Sequence, residues 1–284
     1  MKIAAIRLNP EGVSRTRLDL VCSKLKENNI RPCFFKNELL KTANAYEAYS
    51  TDELMKMCDI VIALGGDGTI LHAAKAAAMY DKPVLGINSG HLGFMAGLEA
   101  DELDLLENLN KGNYITDTRM MLQVDVISKN HDCSTYFCVN DAVISRGSLS
   151  RMIDVSVSFG AKTEMEYSCD GLIASTPTGS TAYALSAGGP VLDPSINSIL
   201  ITPVCAHSFF SRPLVLSPET VVSITTAVRH DGEAFLTTDG EQAFKLSSSD
   251  IVRIRRADDH FVKLIKIKKE SFMDVLHNKM IEHK

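Results

Sequence analysis

Three glycines and one carboxylate interrupt the chain where an apolar strand gives way to a helix. Residues 65–69 read Gly-Gly-Asp-Gly-Thr. They follow the run Asp59-Ile-Val-Ile-Ala-Leu64, which has the composition of a buried parallel strand. They precede Ile70-Leu-His-Ala-Ala-Lys-Ala-Ala-Ala-Met-Tyr80, an Ala-rich stretch predicted to be helical. At such a turn the backbone N–H groups point outward and the helix dipole is positive, which favours phosphate. An acid among those N–H groups stays ionised and can accept a proton from a hydroxyl. Phosphate cradle and carboxylate together point to phosphoryl transfer to an alcohol. The turn matches neither G-x-G-x-x-G, since Leu71 stands where the third glycine would be, nor the P-loop string, which occurs nowhere in the chain.

The rest of the first third alternates in the same way. Lys2–Leu8, Arg31–Phe35 and Pro83–Ile87 are strand candidates. Arg15–Asn28 is a helix candidate with Leu18, Val21, Cys22 and Leu25 on one face. Ser50-Thr-Asp-Glu53 fits a capping box, Lys36–Tyr49 is weakly patterned, and Glu99–Lys111 is expected to be one amphipathic helix closed by Gly112. Strand and helix in alternation mean βαβ units and a parallel sheet. From about Arg119 the period changes to two, over Met121–Ile127, Ser134–Ile144, Ile153–Phe159, Val221–Val228, Glu233–Thr238, Ile251–Ile254 and Phe261–Ile267. The expected architecture is an α/β N-terminal domain with a Rossmann-like parallel sheet over 1–115, then an all-β sandwich over 116–270, with a last helix in 271–284 that could pack back on the first domain.

Composition narrows the function classes. The net charge of −5 gives no electrostatic case for nucleic acid or an anionic membrane as partner. No apolar run approaches a membrane span. The seven cysteines include no C-x-x-C pair and mostly occupy apolar context, which fits a reduced protein of the cytoplasm. Cys169 neighbours other candidate site residues, but no His or Lys stands by to activate it, so a core role is the better reading.

Three further segments carry candidate chemistry. Gly86-Ile-Asn-Ser-Gly-His-Leu-Gly-Phe94 leaves the carboxyl end of a strand, where open α/β sheets bind ligands. It offers Asn88 and Ser89 as hydrogen-bonding groups and Phe94 as an aromatic face; His91 suits a structural hydrogen bond better than acid or base work. Ser168-Cys-Asp-Gly-Leu-Ile-Ala-Ser-Thr-Pro-Thr-Gly-Ser-Thr-Ala-Tyr-Ala-Leu-Ser-Ala-Gly-Gly-Pro190 is dense in hydroxyls, with Thr178 or Ser180 as the expected cap of a helix starting near Thr181. Its polar groups and Tyr183 suit a nucleoside with its phosphates. Asn140-Asp141 interrupts the apolar run Phe137–Ile144, either to read a base edge or ribose hydroxyls, or as a bulge or turn. Asp239-Gly240 by itself is a plain hairpin turn.

With these residues in view, the chain resembles the ATP-NAD kinase family. The resemblance rests on Gly65–Thr69, Asn88–Phe94, Asn140-Asp141 and the stretch from Asp170 to Tyr183, with Pro203–Val215 in support. Gly-Gly-Asp-Gly-Thr alone is shared with diacylglycerol and sphingosine kinases and, more loosely, phosphofructokinases; the combination with Thr-Pro-Thr-Gly-Ser-Thr-Ala-Tyr is specific. The resemblance implies transfer of a phosphate from ATP to the adenosine-ribose 2′-hydroxyl of NAD, with Mg²⁺ or another divalent metal. It implies a site between the two domains and a homodimer or homotetramer. Asp67 matches the family's proton acceptor. The nucleotide contacts it implies are Gly65, Gly66, Gly68, Thr69, His72 and Phe94 in the first domain. In the second they are Asn140, Asp141, Arg151, Asp170, Thr178, Thr181, Ala182, Tyr183, Ala184, Leu185 and Ser186. No metal ligand is implied by position. The family's Asp-Gly-Gln appears as Asp239-Gly-Glu-Gln242, so either Glu241 or Gln242 takes the glutamine's place. Ser168 stands where some members carry Arg. Two rivals remain: a lipid kinase sharing the Gly-rich turn, against which the polar 168–186 stretch argues, and a non-catalytic NAD(P) sensor, against which Asp67 argues.

Overall fold

A computed structural model describes residues 1–9, 13–36, 46–88, 93–147, 152–160, 164–207, 211–228, 232–241 and 243–282. The chain forms two compact units, residues 1–118 with 261–284, and residues 119–260.

The first unit is built on a parallel sheet. Its strands are β1 (Ile3–Leu8), β2 (Arg31–Phe35), β3 (Ala48–Tyr49), β4 (Ile60–Leu64) and β5 (Pro83–Ile87). They are joined by the end of a long strand, Ile251–Lys266, whose Lys263 and Leu264 pair with Pro83 and Val84. The order runs β3-β2-β1-β4-β5 and then that last strand, all parallel. All five residues of β4 are buried, which is why it reads as an unbroken apolar run. Helix α1 (Arg15–Glu27) buries Leu18, Val21, Cys22 and Leu25 and is capped by Ser14, whose side chain accepts the Arg17 N–H. Helix α2 (Thr51–Met57) starts on the expected capping box, with Ser50 and Glu53 bonded reciprocally. Successive strands leave β1 on opposite sides, so the strand order reverses between β1 and β4. In open α/β sheets that reversal marks the ligand crevice, at the carboxyl ends of the strands.

Two local expectations change here. Helix α3 (Asp67–Ala78) starts at the acid of the Gly-rich turn, three residues before the apolar pattern does. The helix expected over 99–111 splits into a 3₁₀ turn at Leu103–Glu107 and a short α4 (Asn108–Lys111), ended by Gly112 at φ +71°. The Glu102 carboxylate accepts the Glu99 N–H at 2.8 Å, closing a separate turn ahead of them. Within the weakly patterned 36–49 stretch, β3 pairs with β2, and residues 37–45 lie outside the described residues.

The second unit is a sandwich of two sheets. One contains β6 (Ile115–Ile127), β7 (Cys133–Cys138), β9 (Ile153–Phe159), β10 (Glu164–Cys169), β14 (Val222–Val228) and the start of β17 (Ile251–Lys266). The other is antiparallel throughout, in the order β13 (Leu214–Leu216), β12 (Ile199–Val204), β11 (Gly171–Ser175), β8 (Asp141–Arg146), β15 (Ala234–Thr238), β16 (Phe244–Leu246). Val155, Val157 and Ile224 of the first sheet and Ala142, Ile144, Leu172 and Ala174 of the second belong to one buried core. The opposite face of the second sheet carries Val143, Ile173 and Leu200, packed with Ala184 of the four-residue helix α5 (Tyr183–Ser186). The expected strand Ser134–Ile144 is two strands broken at Val139 and Asn140. Conversely, Ile251–Ile254 and Phe261–Ile267 are parts of the single strand β17. Residues 261–270, assigned by pattern to the β-rich domain, lie in the first unit because β17 pairs there with β5. The last described element is α6 (Phe272–Glu282), also in the first unit.

Candidate active site

In the first unit the site grows from the end of β4. Gly65 has φ +156°, and a Cβ there would fall 2.5 Å from Thr69 Oγ1, so the turn demands glycine. Its N–H donates to the Ile87 carbonyl at 3.1 Å, tying the turn to β5. Gly66 caps α3 without a side chain. Gly66 and Gly68 are exposed, and a Cβ on either would meet nothing within 4 Å. Neither crowding nor backbone conformation requires glycine at these two positions. What their bareness provides is open backbone at a helix N-terminus, the arrangement that accepts phosphate.

Asp67 is the first residue of α3. Its Oδ2 accepts the Phe94 N–H at 3.0 Å and its Oδ1 accepts the Met95 N–H at 3.2 Å. A Cβ on Gly93 would lie 2.3 Å from Oδ1, so the carboxylate packs where only glycine leaves room. The Lys279 ammonium of α6 stands 3.6 Å from Oδ2, and the Asp67 side chain remains 38% exposed. The acid is held in one orientation yet open to a reactant. Phe94 does not present a bare aromatic face: Lys279 lies 4.0 Å over its ring, and Phe272 is 6.0 Å away. Asn88 is buried, its N–H on the Leu98 carbonyl. Thr69 packs against Gly65, and His72 is exposed on α3. Ser89 and His91 lie outside the described residues.

In the second unit the break between β7 and β8 forms a second centre. Asn140 and Asp141 lie on a turn, with Asp141 opening β8. Across nearly a hundred residues Asp239 fixes that turn. Its carboxylate accepts the N–H groups of Val139 at 3.0 Å, Asn140 at 2.7 Å and Asp141 at 3.2 Å, while its own N–H donates to the Asp141 carbonyl at 2.8 Å. Asn140, Asp141 and Asp239, with Ala182, Tyr183 and Thr237, line an open cleft of about 450 Å³. Asp141 is only 6% exposed. Burial, and next the neighbouring Asp239 charge, push its carboxyl up to about 7.

The hydroxyl-rich stretch behaves differently from its composition. Thr176 Oγ1 donates to the Val139 carbonyl at 2.6 Å and accepts the Gly179 N–H at 3.1 Å. Ser180 Oγ donates to the Pro177 carbonyl at 2.6 Å and accepts the Leu192 N–H at 3.0 Å. Thr181 Oγ1 donates to the Thr178 carbonyl, and Thr178 Oγ1 accepts from Arg119. A Cβ on Gly179 would fall 2.2 Å from the Asn140 carbonyl. These groups clamp the segment onto the Asn140 turn. The helix expected near Thr181 is a 3₁₀ turn, Thr178–Thr181, followed by α5, and neither has a side-chain cap because the hydroxyls are engaged elsewhere. Ala184 is buried under the sheet face, whereas Tyr183, Leu185 and Ser186 are exposed. Asp170 is paired to Arg146 at 2.7 Å, at the end of β8 opposite Asp141. The register therefore sets Asp170 roughly 17 Å along the strand from Asp141, at about 3.3 Å per residue. Arg151 and Gln242 lie outside the described residues; Glu241 is exposed, its N–H on the Thr238 carbonyl at 3.0 Å.

Residues 19–114 match the ATP-NAD kinase N-terminal domain, and residues 139–267 match the ATP-NAD kinase C-terminal domain. The NAD kinase of Caldanaerobacter subterraneus subsp. tengcongensis is 39% identical over 251 residues, covering 87% of this chain and 88% of the relative. That of Symbiobacterium thermophilum is 42% identical over 223 residues, 78% of each. The chain belongs to the ATP-NAD kinase family. The activity that goes with membership is ATP-dependent phosphorylation of NAD, and the lipid-kinase and sensor readings find no support in these matches. Solved structures share the fold. Yeast NADH kinase complexed with NADH superimposes with a TM-score of 0.87 at 21% identity, over 99% of this chain and 88% of the other. An Archaeoglobus fulgidus NAD kinase in complex with ATP gives 0.74 at 22%, over 99% of both. Within the family's motifs, Asp239 is the residue that sequence reasoning passed over. An Asp-Gly pair between two strands reads as a turn, and a turn it is, with Asp239 at φ +53°. Its three accepted N–H groups come from a segment that nothing local announces.

Proposed function

We propose that the chain transfers the γ-phosphate of ATP to the 2′-hydroxyl of the adenosine ribose of NAD, giving NADP, with Asp67 as proton acceptor. The observation that carries the residue assignment is the Asp67 carboxylate, oriented by two backbone N–H groups at 3.0 and 3.2 Å beside open glycine backbone. In this reading the 65–69 backbone receives the ATP phosphates. Asp67 accepts the hydroxyl proton as the hydroxyl oxygen attacks phosphorus and the ADP oxygen leaves. The cleft at Asn140, Asp141 and Tyr183 holds NAD, Asn140 and Asp141 hydrogen-bonding to it and Tyr183, 47% exposed, supplying a stacking face. Among the described residues no group of three or more His, Cys, Asp or Glu could hold a metal ion. In this reading a divalent cation accompanies ATP and screens its phosphates.

Two coarser readings accompany this one. Five of the seven cysteines are buried, which supports a reducing compartment, the cytoplasm. Among the described residues no helix is long and apolar enough to cross a membrane. Tyr183, Leu185, Val191, Ile196 and Val215 of the second unit are large apolar residues left exposed, which fits a homodimer or homotetramer. Light scattering on the purified protein measures the oligomer directly.

The assay for the activity is NADP formation from NAD, ATP and Mg²⁺. No NADP above a blank sinks the proposal. Asp67→Asn is expected to lower kcat by about 10²- to 10⁴-fold with little change in the KM for NAD; an unchanged kcat removes Asp67 from the proton-acceptor role.

A further inference from the structure

The family's matched domains end at residue 267, and α6 lies beyond them. Yet α6 reaches the Gly-rich turn. Its start is fixed by Ser271: the Asp274 N–H donates to Ser271 Oγ at 3.2 Å, and the Ser271 N–H donates to the Asp274 carboxylate at 2.9 Å. From that start, Phe272, Val275 and Lys279 fall at i, i+3 and i+7, on one face of the helix. Phe272 packs 6.0 Å from the Phe94 ring, and Lys279 lies 4.0 Å over the same ring. Val275 lines a small cavity together with Gly93 and Ala96. The face of α6 is thus seated on the segment whose N–H groups hold Asp67, and its last contact is with Asp67 itself, at 3.6 Å.

We infer that Lys279 is a positioning residue for the proton acceptor, supplied by the C-terminal helix α6, beyond the matched residues 139–267. The inference rests on the assignment of Asp67 above. Two backbone donors, one on each oxygen, fix the plane of the carboxylate, and Lys279 adds a full positive charge 3.6 Å from Oδ2. The separation of 3.6 Å exceeds the 2.7–2.9 Å typical of a charge-assisted hydrogen bond. Lys279 therefore acts on the carboxylate through charge and leaves Oδ2 accessible to a substrate hydroxyl. The ring of Phe94 holds the ammonium at that distance through the cation–π contact. A cation so placed offsets the repulsion between the ionised acid and incoming phosphates, and so keeps Asp67 in its reactive orientation when ATP is bound.

The test compares Lys279→Met, Lys279→Arg and Asp67→Asn with the wild type in the full chain, measuring kcat, both KM values and the melting temperature. Methionine keeps the stem and its packing while removing the charge. The expected result for Lys279→Met is a kcat lowered about 10- to 100-fold, a KM for NAD within about twofold, an unchanged melting temperature, and recovery of most of kcat in Lys279→Arg. A kcat equal to or above wild type in Lys279→Met overturns the inference, a rise meaning that α6 restrains the site instead. A loss that arginine does not restore also overturns it. If Asp67→Asn itself leaves kcat intact, it is the assignment of Asp67 that fails, which separates the two.

Discussion

Removing the Asp141 carboxyl should flatten the pH dependence of stability in the second unit. Asp141 is 6% exposed, and its carboxyl is raised from 3.8 to about 7, by burial first and by Asp239 second. A folded-state value above the unfolded one means that the fold favours the protonated acid. The stabilisation is complete below 3.8, declines as pH rises, and is gone once pH passes about 7. About three pH units at about 1.4 kcal/mol each make the full effect about 4 kcal/mol, of which about 2.5 kcal/mol falls between pH 5 and pH 8. Urea unfolding of wild type and Asp141→Asn at both pH values reads it directly. The stability difference should move by about 2.5 kcal/mol in favour of the Asn variant on going to pH 8. Equal pH slopes in the two proteins would refute the argument, since they would mean that Asp141 ionises in the fold as easily as in the open chain. The same shift bears on binding. If NAD hydroxyls donate to the ionised carboxylate, NAD affinity should weaken by up to about tenfold per unit as pH falls below 7, and this dependence should vanish in Asp141→Asn. Isothermal titration across pH 5.5–8 would show it; an identical profile in the variant would remove Asp141 from the contact.

Two further substitutions probe the frames around the acids. Gly93→Ala places a methyl 2.3 Å from Asp67 Oδ1, so the carboxylate must move; displacement of that size should cost about 10²-fold in kcat, and a kcat near wild type would mean that the orientation seen here is immaterial. Asp239→Asn turns one of its two accepting oxygens into a donor facing the Val139–Asp141 N–H groups, which should cost about 2–3 kcal/mol in urea unfolding and raise the KM for NAD more than it lowers kcat. An unaltered KM would show that the Asn140 turn keeps its shape without the charge.

What the sequence disclosed follows the range of the interactions that fix each feature. The Ser50–Glu53 capping box joins residues three apart, and it forms as the pattern predicts, as do the buried face of α1 and the parallel strands β1, β4 and β5. Their determinants are periodicity and near-neighbour hydrogen bonds, both written along the chain. Asp67 was legible for the same reason, since the glycines that expose it are its neighbours. Asp239 was not, because its partners at 139–141 are contiguous with it only after β8 and β15 pair. The hydrogen bonds of residues 176–181 depend on distant partners in the same way. A hydroxyl on a nucleoside and a hydroxyl on a buried carbonyl look identical in sequence, and which one applies depends on where the Asn140 turn falls in space. In the structure Thr176 and Ser180 are committed to Val139, Pro177 and Leu192. Thr176 and Gly179 tie the stretch to the Val139–Asn140 segment, next to Tyr183 at the cleft. In the proposed reading, Asn140, Asp141 and Tyr183 of the cleft wall are held in place by this buried polar clamp. Substitutions inside that clamp should disturb NAD binding as strongly as substitutions at the cleft wall.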